Sequence, residues 1–120
     1  MNFKNMPIRD KKYIAYDPDT PENILLILAK DDDEGVRRHV AYNRKAPINV
    51  LKTLTKDLSW VVRFNVVTHP DIFGKLLLMV LDYEKSLTKS TIPIIKAIYR
   101  NKKLPGLAKV VIETLYGELL

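Results

Sequence analysis

The chain has 120 residues, 47% of them hydrophobic and 28% charged, with a formal charge of +6 and no cysteine. That length suits one domain able to bury roughly two thirds of its unfolded surface, and the composition argues against wholesale disorder or a fibrous class. The absence of cysteine excludes disulfides, thiolate metal sites and cysteine nucleophiles, so a reducing, cytoplasmic setting is the simplest expectation.

The N-terminal stretch MNFKNMPIRDKKY lacks the apolar segment of a secretory signal. The longest apolar run, LLLMVL at 76–81, falls far short of the ~20 residues that span a bilayer, and no membrane partner is expected. Positive charge is unevenly spread. Positions 85–112 hold seven basic residues and no acidic one, against 13 basic and 14 acidic elsewhere.

Positions 1–9 read as a lead-in. Over 11–80 the chain aligns on itself without a gap when shifted by 26 residues. Ile14 falls on Val40 and Val66, Pro21 on Pro47, Leu25 on Leu51 and Leu77, Leu28 on Leu54 and Val80, and Lys11 on Arg37 and Arg63. Each copy divides into two helical segments. The first opens at Thr20-Pro21-Glu22, where threonine is expected to cap free amides and proline to take the first helical position. Ile24, Leu25 and Leu28, and then Val50, Leu51 and Leu54, form an inward stripe.

The second segment follows the aspartates and pairs Val36 with Val40, then Val62 with Val66, ending near Asn43 or His69 just before Pro47 and Pro70. No stretch alternates apolar and polar residues, so no sheet is expected. One such helix pair cannot bury its own stripe, and stacking neighbours makes a continuous core. The expected fold is all-α: a short α-solenoid of stacked helix pairs with a period of about 26 residues, repeats over 10–81 and a divergent repeat and cap over 82–120, all in one domain.

Beyond Val80 the register slips. Tyr99 matched to Tyr42 implies about five extra residues near DYEKSLTKSTI. After Pro105 the apolar residues Leu107, Val110, Val111 and Leu115 change phase, as in a terminal cap whose outer face, with Glu113 and Glu118, is polar.

The stretches TPENILLILAKDDDEGVRRHVAYN and APINVLKTLTKDLSWVVRFNVVTHP resemble the leucine-rich repeat variant, a relative of HEAT-like repeats. Pro21, Leu25, Leu28, Asp31, Val36, Arg37 and Asn43 fit its pattern in one copy. Pro47, Leu51, Leu54, Asp57, Val62, Arg63, His69 and Pro70 fit it in the next. The resemblance implies a right-handed superhelix serving as an interaction scaffold. Some relatives carry a cysteine-ligated iron–sulfur module, which a chain without cysteine cannot hold.

Several residues invite a functional reading. Lys11, Arg37 and Arg63 form a column that could meet an anionic ligand, but with Asp31 and Asp57 they fit better as a structural ladder between repeats. Consecutive carboxylates at 31–34 match helix capping rather than a calcium loop. His39 and His69 occupy different repeat positions, so no shared metal site is expected. Trp60 and Tyr42 are candidate protein-interface residues, with burial the bland alternative for the tryptophan. Lys89, Lys96, Arg100, Lys102, Lys103 and Lys109 are candidate polyanion contacts whose bland alternative is a solvated face. No residue pattern suggests catalysis, a cofactor or a metal. The expected function is a non-enzymatic scaffold that binds another protein; the alternative is nucleic-acid binding through the C-terminal basic stripe.

Overall fold

In a computed structural model, residues 2–87 and 91–120 are described. They are all-α: α1 (Ile8–Tyr16), α2 (Glu22–Leu28), α3 (Glu34–Tyr42), α4 (Ile48–Thr53), α5 (Trp60–Val67), α6 (Gly74–Ser86), α7 (Ile92–Arg100) and α8 (Gly106–Tyr116), with 3₁₀ turns at Phe3–Asn5 and Gly117–Leu119. None of these helices is long and apolar enough to cross a membrane. The described residues include no strand.

The helix starts follow from local chemistry. Asp33 accepts a hydrogen bond from the Val36 amide at 3.0 Å, and Ser59 accepts one from the Val62 amide at 3.4 Å, so both cap the helices that follow them. Pro21 and Pro47 precede α2 and α4 in extended geometry, as the residue just before the first turn rather than inside it. Thr20 does not cap α2. Its hydroxyl donates to the Ile14 carbonyl at 2.6 Å and ties the turn back to α1 instead.

Helix ends share one device. The side chains of Asp17, Asn43, His69 and Asn101 each accept a hydrogen bond from the amide two residues on, at 2.9, 2.9, 3.1 and 2.9 Å, which closes the chain into a tight turn. These four positions are separated by 26, 26 and 32 residues. The inserted segment therefore adds six residues, not five, and part of it extends α6 to 13 residues, against seven in α2 and six in α4. Arg100, not Tyr99, occupies the place of Tyr16 and Tyr42, immediately before the turn residue. Tyr99 points elsewhere and donates its hydroxyl to Glu113 at 2.6 Å.

α1, α3, α5 and α7 pack in a row, each on the next, and α2 packs on α4 beside them. Leu25, Leu28, Leu51, Leu54, Leu77 and Val80 lie buried between the helices, together with Val36, Val40, Val62 and Val66. Each such side chain stabilises the fold by about 1.5–3 kcal/mol. Ala15 and Ala41, both fully buried, are small enough for neighbouring helices of the row to approach closely. Ile94, Ile95, Ile98 and Ile112 continue the core into the divergent end. The body measures 48 × 26 × 16 Å.

The expectation of a polar outer face on α8 is met only in part: Glu113 and Glu118 are exposed, but so are Leu107, Val110, Val111 and Leu115, and Glu113 accepts a hydrogen bond from Tyr99.

Candidate interaction face

The cations of the helix row fall into two registers with opposite fates. In the first, Lys11 Nζ lies 2.9 Å from Asp31, Arg37 Nε 2.8 Å from Asp57, and Arg63 Nε 2.7 Å from Glu84. Each bond reaches 20 or 21 residues forward. The arginines also grip their own side: Arg37 Nη1 donates to the Asp31 and Asp32 carbonyls, and Arg63 Nη1 to the Asp57 carbonyl. One planar guanidinium thus joins the turn before its helix to an acid in the following unit, a geometry an ammonium cannot match. Lys11 accordingly makes only the single contact to Asp31.

Burial fits this role. Arg63 is 3% exposed and Glu84 0%, and the guanidinium also sits 5.2 Å from the ring centre of Tyr83. Glu84 is saturated from both sides, since its second oxygen accepts the Thr91 amide at 3.0 Å. Counting 32 residues on from Arg63, as the turns dictate, gives Ile95, which is fully buried; the charged column ends there. Burial raises the Asp31 carboxyl, but the hydrogen bonds from Lys11 and the Asp33 amide, with the charges of Lys11 and Arg37, outweigh it and hold the group below its usual 3.8. The Asp57 hydrogen bond raises Arg37 against the opposing effect of burial.

The register one residue later is left without acidic partners. Lys12 and Arg38 face outward on α1 and α3, joined by Arg44 and Lys45 from the turn after α3; none has a carboxylate within 4.0 Å among the described residues. They line three adjoining shallow depressions of about 350, 380 and 460 Å³. The first two share Tyr42 and Asn65, and the second and third share Arg44 and Pro70, so they form one groove across α1, α3 and α5. Asp71 is the single acidic side chain lining it.

Aromatic rings stand among these charges. Tyr16 and Tyr42 stack with centroids 5.8 Å apart and planes 14° from parallel, and His39 meets Tyr16 edge-on at 6.3 Å. His39 is held by a 2.6 Å hydrogen bond between Nδ1 and the Gly35 carbonyl. A Cβ at Gly35 would lie 2.6 Å from Lys12 Cε and 2.9 Å from both its ammonium and Asp33 Oδ1, so the glycine leaves room for these side-chain ends. The missing side chain lets Lys12 cross α3. Neither Gly35 nor Lys12 stands out in the sequence, because a normal-φ glycine inside a helix signals nothing until its neighbour is known.

The floor of the groove is fixed by buried polar links. Asn43, with no exposed surface, donates to the Ala15 and Asp17 carbonyls at 2.9 and 3.0 Å. His69 accepts the Asp71 amide on Nδ1 and donates from Nε2 to the Asn43 carbonyl at 2.8 Å. Its ring is a strut between turns, which explains its place in the Asn43 column rather than the His39 column.

The remaining candidates are dispersed. Trp60 is 46% exposed at the start of α5, edge-on to Phe64 at 6.3 Å, so it is not a core residue. By the spacing of the turns, Lys96 on α7 falls in the row of Lys12, Arg38 and Phe64, and Arg100 in the row of Tyr16 and Tyr42, although neither lines the three depressions. Lys102 is exposed in the turn before α8 and Lys109 is half-buried on α8. Lys103 Nζ is tied to the Ile72 carbonyl at 2.8 Å. Lys89 lies outside the described residues.

No family model matches the chain, and neither a curated protein nor a solved structure is significantly similar to it.

Proposed function

We propose that this chain is a non-enzymatic helical-repeat scaffold that holds an extended, acidic segment of another protein along the face of α1, α3, α5 and α7. The reading takes the fold as a short right-handed α-solenoid of the leucine-rich repeat variant or HEAT-like kind, working in the cytoplasm. One observation carries it. Neighbouring cation registers are treated differently, with Lys11, Arg37 and Arg63 matched to acids while Lys12 and Arg38 are unmatched in a groove with aromatic walls. Cations left without internal partners beside stacked tyrosines suit carboxylates and rings on an incoming chain.

Fluorescence anisotropy with a labelled peptide of alternating glutamate and tyrosine tests this. Binding should appear at about 50 mM salt and weaken steeply as screening increases. Lys12→Glu, Arg38→Glu and Arg44→Glu should each lower affinity about tenfold without shifting the melting temperature. Lack of binding at low salt would defeat the reading.

A second reading rests on the Tyr16–Tyr42 stack and on Lys96 and Arg100, which fall in the same rows by the spacing of the turns. Paired aromatic platforms beside a basic track also suit single-stranded nucleic acid. It prevails if an oligonucleotide displaces the peptide and Tyr42→Ala weakens the oligonucleotide more than the peptide.

A further inference from the structure

α8 differs from α2, α4 and α6 in where its polar and apolar residues lie. Counted from the residue that precedes each helix, Pro21, Pro47, Phe73 and Pro105, the second position of the helix is Asn23, Asn49 and Lys75 in α2, α4 and α6, but Leu107 in α8. Lys52 and Thr53 of α4, both exposed, become Val110 and Val111. Conversely, Lys109 stands where Leu25, Leu51 and Leu77 are buried. At that position α8 is polar, although Ala108 and Ile112 remain buried, and its exposed side is more apolar than that of α4.

The outward stripe consists of Leu107, Val110, Val111, Leu115 and Leu119, which are 85, 57, 38, 55 and 52% exposed. Residues 107, 111 and 115 follow one another at four-residue intervals along one side of the helix.

We infer that this stripe is a self-association surface on which two copies of the chain pack α8 against α8 in antiparallel orientation. Two observations favour a second copy. The five side chains expose on the order of 500 Å² per chain, so a symmetric pair buries on the order of 1,000 Å², the lower limit for a specific interface. The charges at the two ends of α8 also complement each other when reversed: Lys102 precedes the helix and Glu118 follows it. Antiparallel packing centred near Val111 sets Lys102 of one copy toward Glu118 of the other, whereas parallel packing sets like against like. An isologous contact of this kind needs no surface but its own. The groove on α1, α3 and α5 lies on other helices and is unaffected.

Sedimentation velocity on the full chain, over concentrations from about 1 to 500 µM, tests this; an interface of this size implies dissociation in the micromolar range. A monomer–dimer equilibrium is expected, and Leu107→Lys combined with Val111→Glu should abolish it with the helical circular dichroism and melting midpoint intact. Lys102→Glu should weaken the dimer several-fold, and adding Glu118→Lys should restore it. Because the chain has no cysteine, Val111→Cys provides a second readout and should crosslink to its own copy under mild oxidation. A monomer across the whole range, or a dimer indifferent to Leu107 and Val111, overturns the proposal. Failure of the charge reversal to restore the dimer overturns the antiparallel arrangement.

Discussion

Arg63 and Glu84 illustrate how much one side chain can decide. Both are sealed from solvent, so removing either strands a charge in the interior, and Arg63→Ala should lower unfolding free energy in urea by about 3–5 kcal/mol. Replacing the two together with Arg63→Met and Glu84→Leu should recover part of that loss, since no charge is left buried, while the Thr91 amide and the Asp57 carbonyl lose a partner. Asp31 acts through pH. Its carboxyl is held below 3.8 in the fold, so its contribution is present above the unfolded value and is lost as pH falls through the lowered one. Asp31→Asn should therefore weaken the protein by about 1–3 kcal/mol at pH 7, and the difference from the parent should shrink in melts below about pH 4. The column at 11, 37 and 63 and two of its acids, Asp31 and Asp57, were readable from the sequence, whereas Glu84 was not. The acids come from 20 or 21 residues further along, and the last is a glutamate displaced by one position from the repeat.

At the scale of an element, the turns set the register. Asn43 accepts from its own turn and donates to two carbonyls of the preceding one. Asn43→Ala should leave the Ala15 and Asp17 carbonyls short of a donor and lower stability by about 2–3 kcal/mol, measured by thermal melts. Most helix positions were legible because leucines and valines recur one turn apart with proline punctuation. The capping pattern was only half legible, since a threonine before a proline can serve the helix ahead or the helix behind, and Thr20 serves the one behind. The inserted segment misled for a related reason. Matching Tyr99 to Tyr42 rewards ring for ring, while the backbone is governed by Asn101, whose side chain closes the same turn as Asn43. The outer face of α8 carries the expected Glu113 and Glu118 but also an apolar stripe that the rule of polar terminal caps does not anticipate.

For the molecule as a whole, extension is the governing property. A radius of gyration of 14.9 Å over Cα atoms exceeds the about 13.6 Å of an average domain of this length, in keeping with extents of 48 × 26 × 16 Å. The groove could not be located from sequence because Lys12, Arg38, Arg44 and Lys45 are scattered among many similar cations. Only the coordinates divide those already matched from those still available. The paired cations also carry a lesson for engineering. Arg37 and Arg63 each link the turn before their helix to an acid 20 or 21 residues on, so the joint between neighbouring helices is a self-contained plug and socket. Duplicating residues 37–62 in tandem should reproduce both halves of that joint, and small-angle scattering should find a longer particle that still unfolds in one transition.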